Sequence, residues 1–251
     1  YDDVMNSQRE VIYKKRRHAL LGERIGVDIA NNMYDVCEAL VEEHKEANDL
    51  EGFRMDVLKY FAVDFDIKEE DFQKTSANNL TERLYKEVRD TFSRKTETIA
   101  KQAFPVIKNV FEQRGEMFKN IVVPFTDGKR AYNVVANLEK TYKSEGEELN
   151  RAYEKSIMLA HIDDAWKEHL REMDDLKQSV QNATYEQKDP LLIYKFESFN
   201  LFKSMVDKIN KNVVSTLMKG QIPFEAPEEV KQAEEKRTDL SKMRTGRSDA
   251  P

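Results

Sequence analysis

Apolar residues recur every three or four positions along most of the chain, the spacing that places side chains on one face of a helix. In the first part of the chain this stripe consists of Gly26, Ile29, Met33, Val36 and Leu40. The stripe predicts one long helix over residues 1–48. Gly22 and Gly26 each lower the helical propensity by roughly 1 kcal/mol, so the helix either bends there or lets another backbone approach closely.

Residues 52–119 carry shorter helical patterns. Ser76 and Asn79 are the candidate N-caps of the longest one, because their side chains can accept a hydrogen bond from a free backbone N–H. Proline removes a hydrogen bond inside a helix, so we expect Pro105 to kink this helix or to force it to restart.

The helical pattern stops between residues 120 and 135. Two β-branched and aromatic runs, at 121–125 and 131–135, flank the turn sequence TDGKR. This order predicts a small β-hairpin, in which Pro124 should mark an edge position because it has no N–H to donate.

The strongest helical pattern runs from residue 138 to 182 and resumes after residue 190. Its first stripe comprises Ile162, Trp166, His169, Met173, Leu176 and Val180. Its second stripe comprises Leu192, Phe196, Phe199, Phe202 or Val206, Ile209, Val213 and Leu217. Two such stripes joined by a short polar link predict an antiparallel helical hairpin. We place Trp166, Met173, Leu176 and Phe196 in its core.

The second helix of this hairpin should end at Gly220, in the left-handed conformation common at that position. Residues 228–251 are charged and poor in apolar side chains, which predicts a disordered linker.

Composition agrees with a mainly α fold, since the chain contains only eight Gly and six Pro and is 35% charged. The net charge of −6 comes from interspersed acids and bases, which gives no sign of nucleic-acid binding. The single cysteine excludes a disulfide framework within the chain. The sequence opens at Tyr1 directly in a helical pattern, so we expect it to be a piece of a longer protein.

Two possible sites of chemistry are discarded. Gly128-Lys129 lacks the other residues of a phosphate-binding loop and lies in the predicted hairpin turn. His161 and His169 have acidic neighbours, but a di-metal helical site needs Glu three residues before each His, where Met158 and Trp166 stand. We predict no metal site and a structural role for both histidines.

Two other features have two readings each. Arg9, Lys14, Lys15, Arg16 and Arg17 form either a solvated face or a surface that docks an acidic partner domain. Tyr185 lies in the polar link of the helical hairpin, where it either caps the end of the hairpin or meets a docking partner. The pattern alone favours the plainer reading for both.

Five runs of sequence add a resemblance: YDDVMNSQREVIY (1–13), IDDAWKEHL (162–170), MDDL (173–176), YEQKDP (185–190) and YKFESF (194–199). In order and spacing they resemble the SecA family of bacterial preprotein translocase ATPases. The first run is similar to the start of its helical scaffold, and the others are similar to its two-helix finger.

The resemblance implies a division into four parts. Residues 1–48 would be the long scaffold helix and residues 49–145 the helical wing, which carries the β-hairpin. Residues 146–219 would be the two-helix finger with the end of the scaffold, and residues 220–251 a C-terminal linker. Residues 104–146 depart from the better-known members, which indicates an expansion of the wing.

The resemblance also implies a function. The intact protein would use ATP and magnesium in domains absent here to drive unfolded preproteins through the SecYEG channel, working in the cytoplasm at the inner face of the plasma membrane. Tyr185, Gln187 and Lys188 would contact the moving polypeptide at the fingertip. The cations Arg9, Lys14, Arg16 and Arg17 would dock the nucleotide-binding and preprotein cross-linking domains.

This fragment would then hydrolyse no ATP and bind no cofactor of its own. The alternative is a self-contained helical adaptor that binds its partners through the helical hairpin.

Overall fold

The computed structural model describes residues 1–22, 24–182, 189–223 and 231–232. These residues are mainly helical with one small antiparallel sheet, which confirms the predicted fold class. The elements are α1 (Asp2–Leu21), α2 (Ile25–Glu46), α3 (Leu50–Phe61), α4 (Glu69–Lys74), α5 (Ala77–Arg114), β1 (Asn120–Thr126), β2 (Ala131–Asn137), α6 (Leu138–Lys143), α7 (Glu147–Asn182), α8 (Pro190–Lys219) and β3 (Lys231–Gln232).

The prediction of one helix over residues 1–48 is wrong, because α1 and α2 are separate. Gly22 ends α1 with φ 70°, and its N–H donates to the carbonyl of His18. A side chain is strained in this left-handed conformation, so glycine suits the position. The space around Gly22 and Gly26 is open, so the close-approach reading of these glycines is wrong as well.

Helix α2 packs against α3, α5, α7 and α8. Two side-chain caps start its neighbours: the Asp49 carboxylate accepts from the N–H of Gly52, and the Ser76 hydroxyl accepts from the N–H of Asn79. The second bond confirms Ser76 as the N-cap of α5. Helix α5 continues through Pro105 to Arg114, so the predicted restart is wrong. Burial of Ala103 and Ile107 on either side of the proline favours continuation.

The β-hairpin is confirmed, with β1 paired to β2 from Asn120 opposite Asn137 to Thr126 opposite Ala131. In its turn, one oxygen of Asp127 accepts from the N–H groups of Lys129 and Arg130, at 2.9 and 2.8 Å. Gly128-Lys129 is therefore a hairpin turn.

Strand β3 pairs with the other side of β1, at Ile121 and Val122. Lys231 and Gln232 are therefore in a sheet, although a disordered linker was predicted there; the rest of 224–251 lies outside the described residues. Pro124 lies between this pairing and the bridge from Thr126 to Gln221. Strand β1 is therefore the middle strand, in the order β2-β1-β3, which does not place Pro124 on an edge strand as predicted.

The helical pattern that begins at residue 138 is broken between α6 and α7. Glu145 and Gly146 both adopt the left-handed region, with φ 53° and 96°. A Cβ on Gly146 would lie 2.9 Å from the carbonyl oxygen of Ala100. Glycine is therefore required here both by its conformation and by the close approach of α5.

Helices α7 and α8 form the predicted hairpin, but α8 turns a different face inward near its start. Leu192, Phe196 and Phe199 are 67%, 64% and 65% exposed, whereas Tyr194 and Ser198 are buried. Placing Phe196 in the core was therefore wrong. Near its start α8 packs against α1 as well as α7. The two helices together bury a different face of α8 from the one that α7 alone would cover.

The later part of α8 follows the predicted stripe, with Ile209, Val213 and Leu217 buried. Gly220 has φ −61° and ψ 138°, so the left-handed cap predicted there is wrong. The reason for glycine is packing, since a Cβ would collide with the hydroxyl of Tyr153. That hydroxyl donates to the carbonyl of Thr216 at 3.0 Å.

Candidate functional site

The candidate site is the hairpin of α7 and α8 together with α1, which lies along it. The fingertip residues Tyr185, Gln187 and Lys188 fall in 183–188, outside the described residues. The ends of α7 and α8 on either side of these residues are described. Helix α8 begins at Pro190, and the Asp189 side chain accepts from the N–H of Leu191 at 2.9 Å, so Pro190 starts the returning helix as expected.

The described end of the hairpin is held by a small apolar cluster separate from the main core. Its buried members are Met173, Val180 and Tyr194, with Tyr1, Val4, Met5, Leu176, Ile193 and Leu201 packed around them. The rings of Tyr1 and Tyr194 meet edge to face, with centroids 4.5 Å apart. The start of α1 therefore supports both helices of the hairpin, with Met173 buried in the cluster and Leu176 partly buried beside it.

Trp166 is partly buried, packed against the main core. Its ring centroid lies 5.5 Å from that of His169. The core role predicted for Trp166 therefore holds in part, because the side chain packs against the core but is only partly buried.

A buried polar contact joins α1, α7 and α8. The amide of Gln8 donates through Nε2 to the carbonyl of Ser198 at 3.0 Å. Its Oε1 is 2.8 Å from Nε2 of His169, so the imidazole must carry its proton on Nε2 and donate. All three residues are at most 8% exposed.

That tautomer leaves Nδ1 of His169 as a buried acceptor with no hydrogen-bond partner among the described residues. The carboxylate oxygen Oε2 of Glu172 lies 4.0 Å from this nitrogen. Burial lowers the pKa of His169, so the imidazole is held neutral.

His161 is also engaged within the fold. Its Nε2 lies 2.8 Å from the hydroxyl of Thr216, and burial is the main cause that lowers its pKa. Within the described ranges no group of three His, Cys, Asp or Glu side chains is placed to hold a metal ion.

The basic cluster of α1 divides between two faces. Arg9, Lys14 and Arg17 are exposed on the outer face, where they border a shallow concavity with Tyr13. Arg16 instead forms a two-point ion pair with Asp163 of α7, at 2.7 and 3.1 Å. Hydrogen bonding to Asp163 is the main cause that raises the pKa of Arg16.

Lys15 also turns inward and donates to Oδ1 of Asn210 at 3.3 Å. Assigning Arg16 to a docking surface therefore needs correction, because its guanidinium already binds α7. Neighbouring residues on a helix point about 100° apart, so one basic run cannot form a single face.

A groove at the junction of α2, α5 and α7 was missed by the sequence analysis. Its volume is about 1010 Å³, and its lining includes Asn150, Glu154 and Arg151. Asn150 donates to the carbonyl of Thr96 at 2.8 Å, while its Oδ1 has no hydrogen-bond partner in the part of the chain that the structure describes. Burial raises the pKa of Glu154 to about 7, against the opposing charges of Arg151 and Arg89.

A weak signal for this groove exists in the sequence. Asn150 and Glu154 are polar residues four apart, so they share a face of α7 beside the buried Leu149 and Tyr153. Such a pair is common on solvated faces too, so the pattern alone does not single it out.

Comparison with known proteins places these features in a family. Residues 1–221 match the SecA Wing and Scaffold domain. The protein translocase subunit SecA of Porphyromonas gingivalis strain W83 is 49% identical over 260 residues, covering 99% of this chain and 24% of the relative. The same subunit of Bacteroides thetaiotaomicron is 52% identical over 254 residues, covering 97% and 23%. That of Flavobacterium psychrophilum is 53% identical over 223 residues, covering 89% and 20%.

The chain spans between a fifth and a quarter of the length of these relatives. The matched range contains α1 and α2, the helices and hairpin of residues 49–145, and the pair α7 and α8. The resemblance seen at both ends of the sequence is therefore confirmed, and the chain belongs to the SecA Wing and Scaffold domain family.

Proposed function

We propose that this chain supplies the scaffold, wing and two-helix finger of a protein-translocating SecA ATPase. The observation that carries the proposal is the α7–α8 hairpin, which α1 clasps along one side through the apolar cluster at Tyr194 and the contact at Gln8. A hairpin held in this way can move together with α1. Relatives about half identical to the chain bear the name protein translocase subunit SecA, which supports the same function.

In this proposal the fingertip residues Tyr185, Gln187 and Lys188 touch the unfolded preprotein at the mouth of the SecYEG channel. Tyrosine suits a substrate of arbitrary sequence, because a flat apolar ring with one hydroxyl contacts backbone and side chains at low entropic cost. Arg9, Lys14 and Arg17 present the outward charges that would dock the other domains of the intact protein.

ATP and magnesium would bind in those other domains, and this chain would transmit the resulting movement. The intact protein would work in the cytoplasm, at the inner face of the membrane. Among the described helices, none has both the length and the apolar character needed to cross a bilayer.

Replacing Tyr185 in the intact translocase tests the proposal. Tyr185→Asp should lower the amount of preprotein transported per ATP hydrolysed by about tenfold, equivalent to the loss of ~1.4 kcal/mol of aromatic contact. Tyr185→Phe keeps the ring and is the matched control, expected to stay within about twofold of wild type. Transport measured with purified membranes and a model preprotein decides the matter: a normal transport ratio for Tyr185→Asp contradicts the fingertip role.

The alternative, a self-contained helical adaptor, also predicts a stable hairpin. The family match over residues 1–221 favours the translocase interpretation. An adaptor would bind its partners without any dependence on ATP, so ATP-dependent transport by the intact protein separates the two functions.

A further inference from the structure

We propose that Gln8 is a positioning residue that fixes α1 in register against both helices of the hairpin by hydrogen bonding to neutral His169 and to the carbonyl of Ser198. The two bonds measure 2.8 and 3.0 Å and leave from the two ends of one amide. A single side chain on α1 therefore contacts α7 and α8 simultaneously.

The position of this contact explains why it would set the register. It lies between the two apolar clusters: Met5 and Ile12 flank Gln8 on α1, and Met173 and Ile162 flank His169 on α7. Apolar side chains tolerate sliding of one helix along another, whereas hydrogen bonds are directional. A slip of α1 by one helical turn, about 5.4 Å, would break both bonds and leave three buried polar groups unpaired.

The contact also fixes the tautomer of His169, while burial, which lowers the pKa of the imidazole, favours its neutral form. Glu172 on α7 is the charged neighbour, at 4.0 Å from Nδ1. From α1 the neighbouring group is the uncharged amide of Gln8, and from α8 it is the ring of Phe202, whose centroid is 5.9 Å away. Among the described residues, a proton added at Nδ1 would face the half-exposed carboxylate of Glu172, which lies beyond hydrogen-bond distance.

This step rests on the proposed translocase function. In that protein the contact would join α1 to the two-helix finger, so that they move together. Movement of α1 would then be passed to α7 and α8 together. Without Gln8 the apolar clusters would still hold the helices together, but the remaining directional contacts of α1 with the hairpin would be the half-exposed Arg16–Asp163 pair and the bond from Lys15 to Asn210.

The only tryptophan of the chain provides the test, because Trp166 lies 5.5 Å from His169 and a protonated imidazole quenches indole fluorescence. In the full 251-residue chain we expect the emission to titrate below the ordinary histidine range. Gln8→Glu places a carboxylate against Nε2 and should move the midpoint up by about one pH unit or more. Gln178→Glu makes the same charge change at an exposed site on α7 and should leave the midpoint unchanged.

His169→Gln should abolish the titration and identifies its source. An unchanged midpoint in Gln8→Glu would show that the two side chains do not meet in solution and would overturn the assignment. The assignment is also overturned if the fluorescence of His169→Gln still titrates, because Trp166 would then be responding to another group.

Amide hydrogen exchange tests the register itself. Gln8→Leu should reduce the protection of α1 by roughly 5- to 100-fold, the range for leaving buried polar groups unpaired. His169→Gln retains a donor toward Gln8 and should keep most of that protection, whereas His169→Leu should not. Equal protection in all three variants would overturn the positioning role.

Transport by the intact translocase gives a separate result. Gln8→Leu should lower the preprotein moved per ATP by at least about threefold; a normal ratio alongside altered fluorescence would reject the coupling role and leave the buried contact standing. Failure of the proposed function itself would appear in Tyr185→Asp, which does not touch this contact.

Discussion

Glu154 lies on α7 in the groove beside α2 and α5, where burial raises its carboxyl pKa to about 7. The folded chain therefore holds a proton that the unfolded chain releases near the ordinary glutamate pKa of 4.5. Because the carboxyl pKa is raised in the folded chain, the stability that the Glu154 proton contributes is fully present below pH 4.5 and is lost as the pH rises through about 7.

Glu154→Gln mimics the protonated form, so it should remove this part of the pH dependence. At pH values above the folded pKa we expect the variant to be more stable than wild type by about 1–3 kcal/mol. The measurement is the free energy of unfolding by urea across that pH range. Glu197→Gln, exposed on α8, is the control and should follow the wild-type curve; a parallel curve for Glu154→Gln would show that Glu154 is not the titrating group.

At the residue scale, the sequence predicts side chains whose role depends on their neighbours along the helix. Ser76, Met173 and Leu176 behave as expected because capping and stripe positions are local properties. The contacts of Gln8 and Arg16 could not be predicted, because their partners, His169 and Asp163, lie 161 and 147 residues away, and periodicity does not show which residues of α7 meet α1.

At the element scale, Gly146 and Gly26 provide a matched pair for testing why the helices end where they do. Gly146 has φ 96° and faces the carbonyl of Ala100, whereas Gly26 lies inside α2 with open space around it. Gly146→Ala should destabilise the fold by about 1–3 kcal/mol. Gly26→Ala should stabilise it by about 0.5–1 kcal/mol. Urea unfolding midpoints measure both, and effects of the same sign would contradict the assignment.

The existence of the elements was more predictable than their bounds and faces. Periodicity indicated the long helices and the β-hairpin, but it joined α1 to α2 and α6 to α7, because a left-handed residue interrupts the backbone without interrupting the apolar stripe. The face of α8 near Phe196 was misplaced for a related reason. Two apolar stripes suffice to predict that two helices pack together, but they do not show that α1 packs against the same pair. That contact depends on the tertiary structure.

At the scale of the whole molecule, the two apolar clusters differ greatly in size. The main core draws on residues from Ile12 to Ile222, while the cluster near the described end of the hairpin has three buried members, Met173, Val180 and Tyr194. A small cluster buries little apolar surface, and local opening costs less free energy where few buried contacts must be broken. The hairpin should therefore open first at the end that carries the proposed fingertip.

Native-state hydrogen exchange of the chain should show this gradient. We expect the amides of residues 173–180 to exchange roughly tenfold or more faster than those of residues 153–162, although all of them lie in α7. Tyr194→Leu should widen the difference by removing the edge-to-face contact with Tyr1, while Phe196→Ser, at an exposed position on α8, should leave it unchanged. Uniform protection along α7 would contradict this prediction. It would mean that the hairpin opens as one cooperative unit with the main core and that its outer end is as stable as its base.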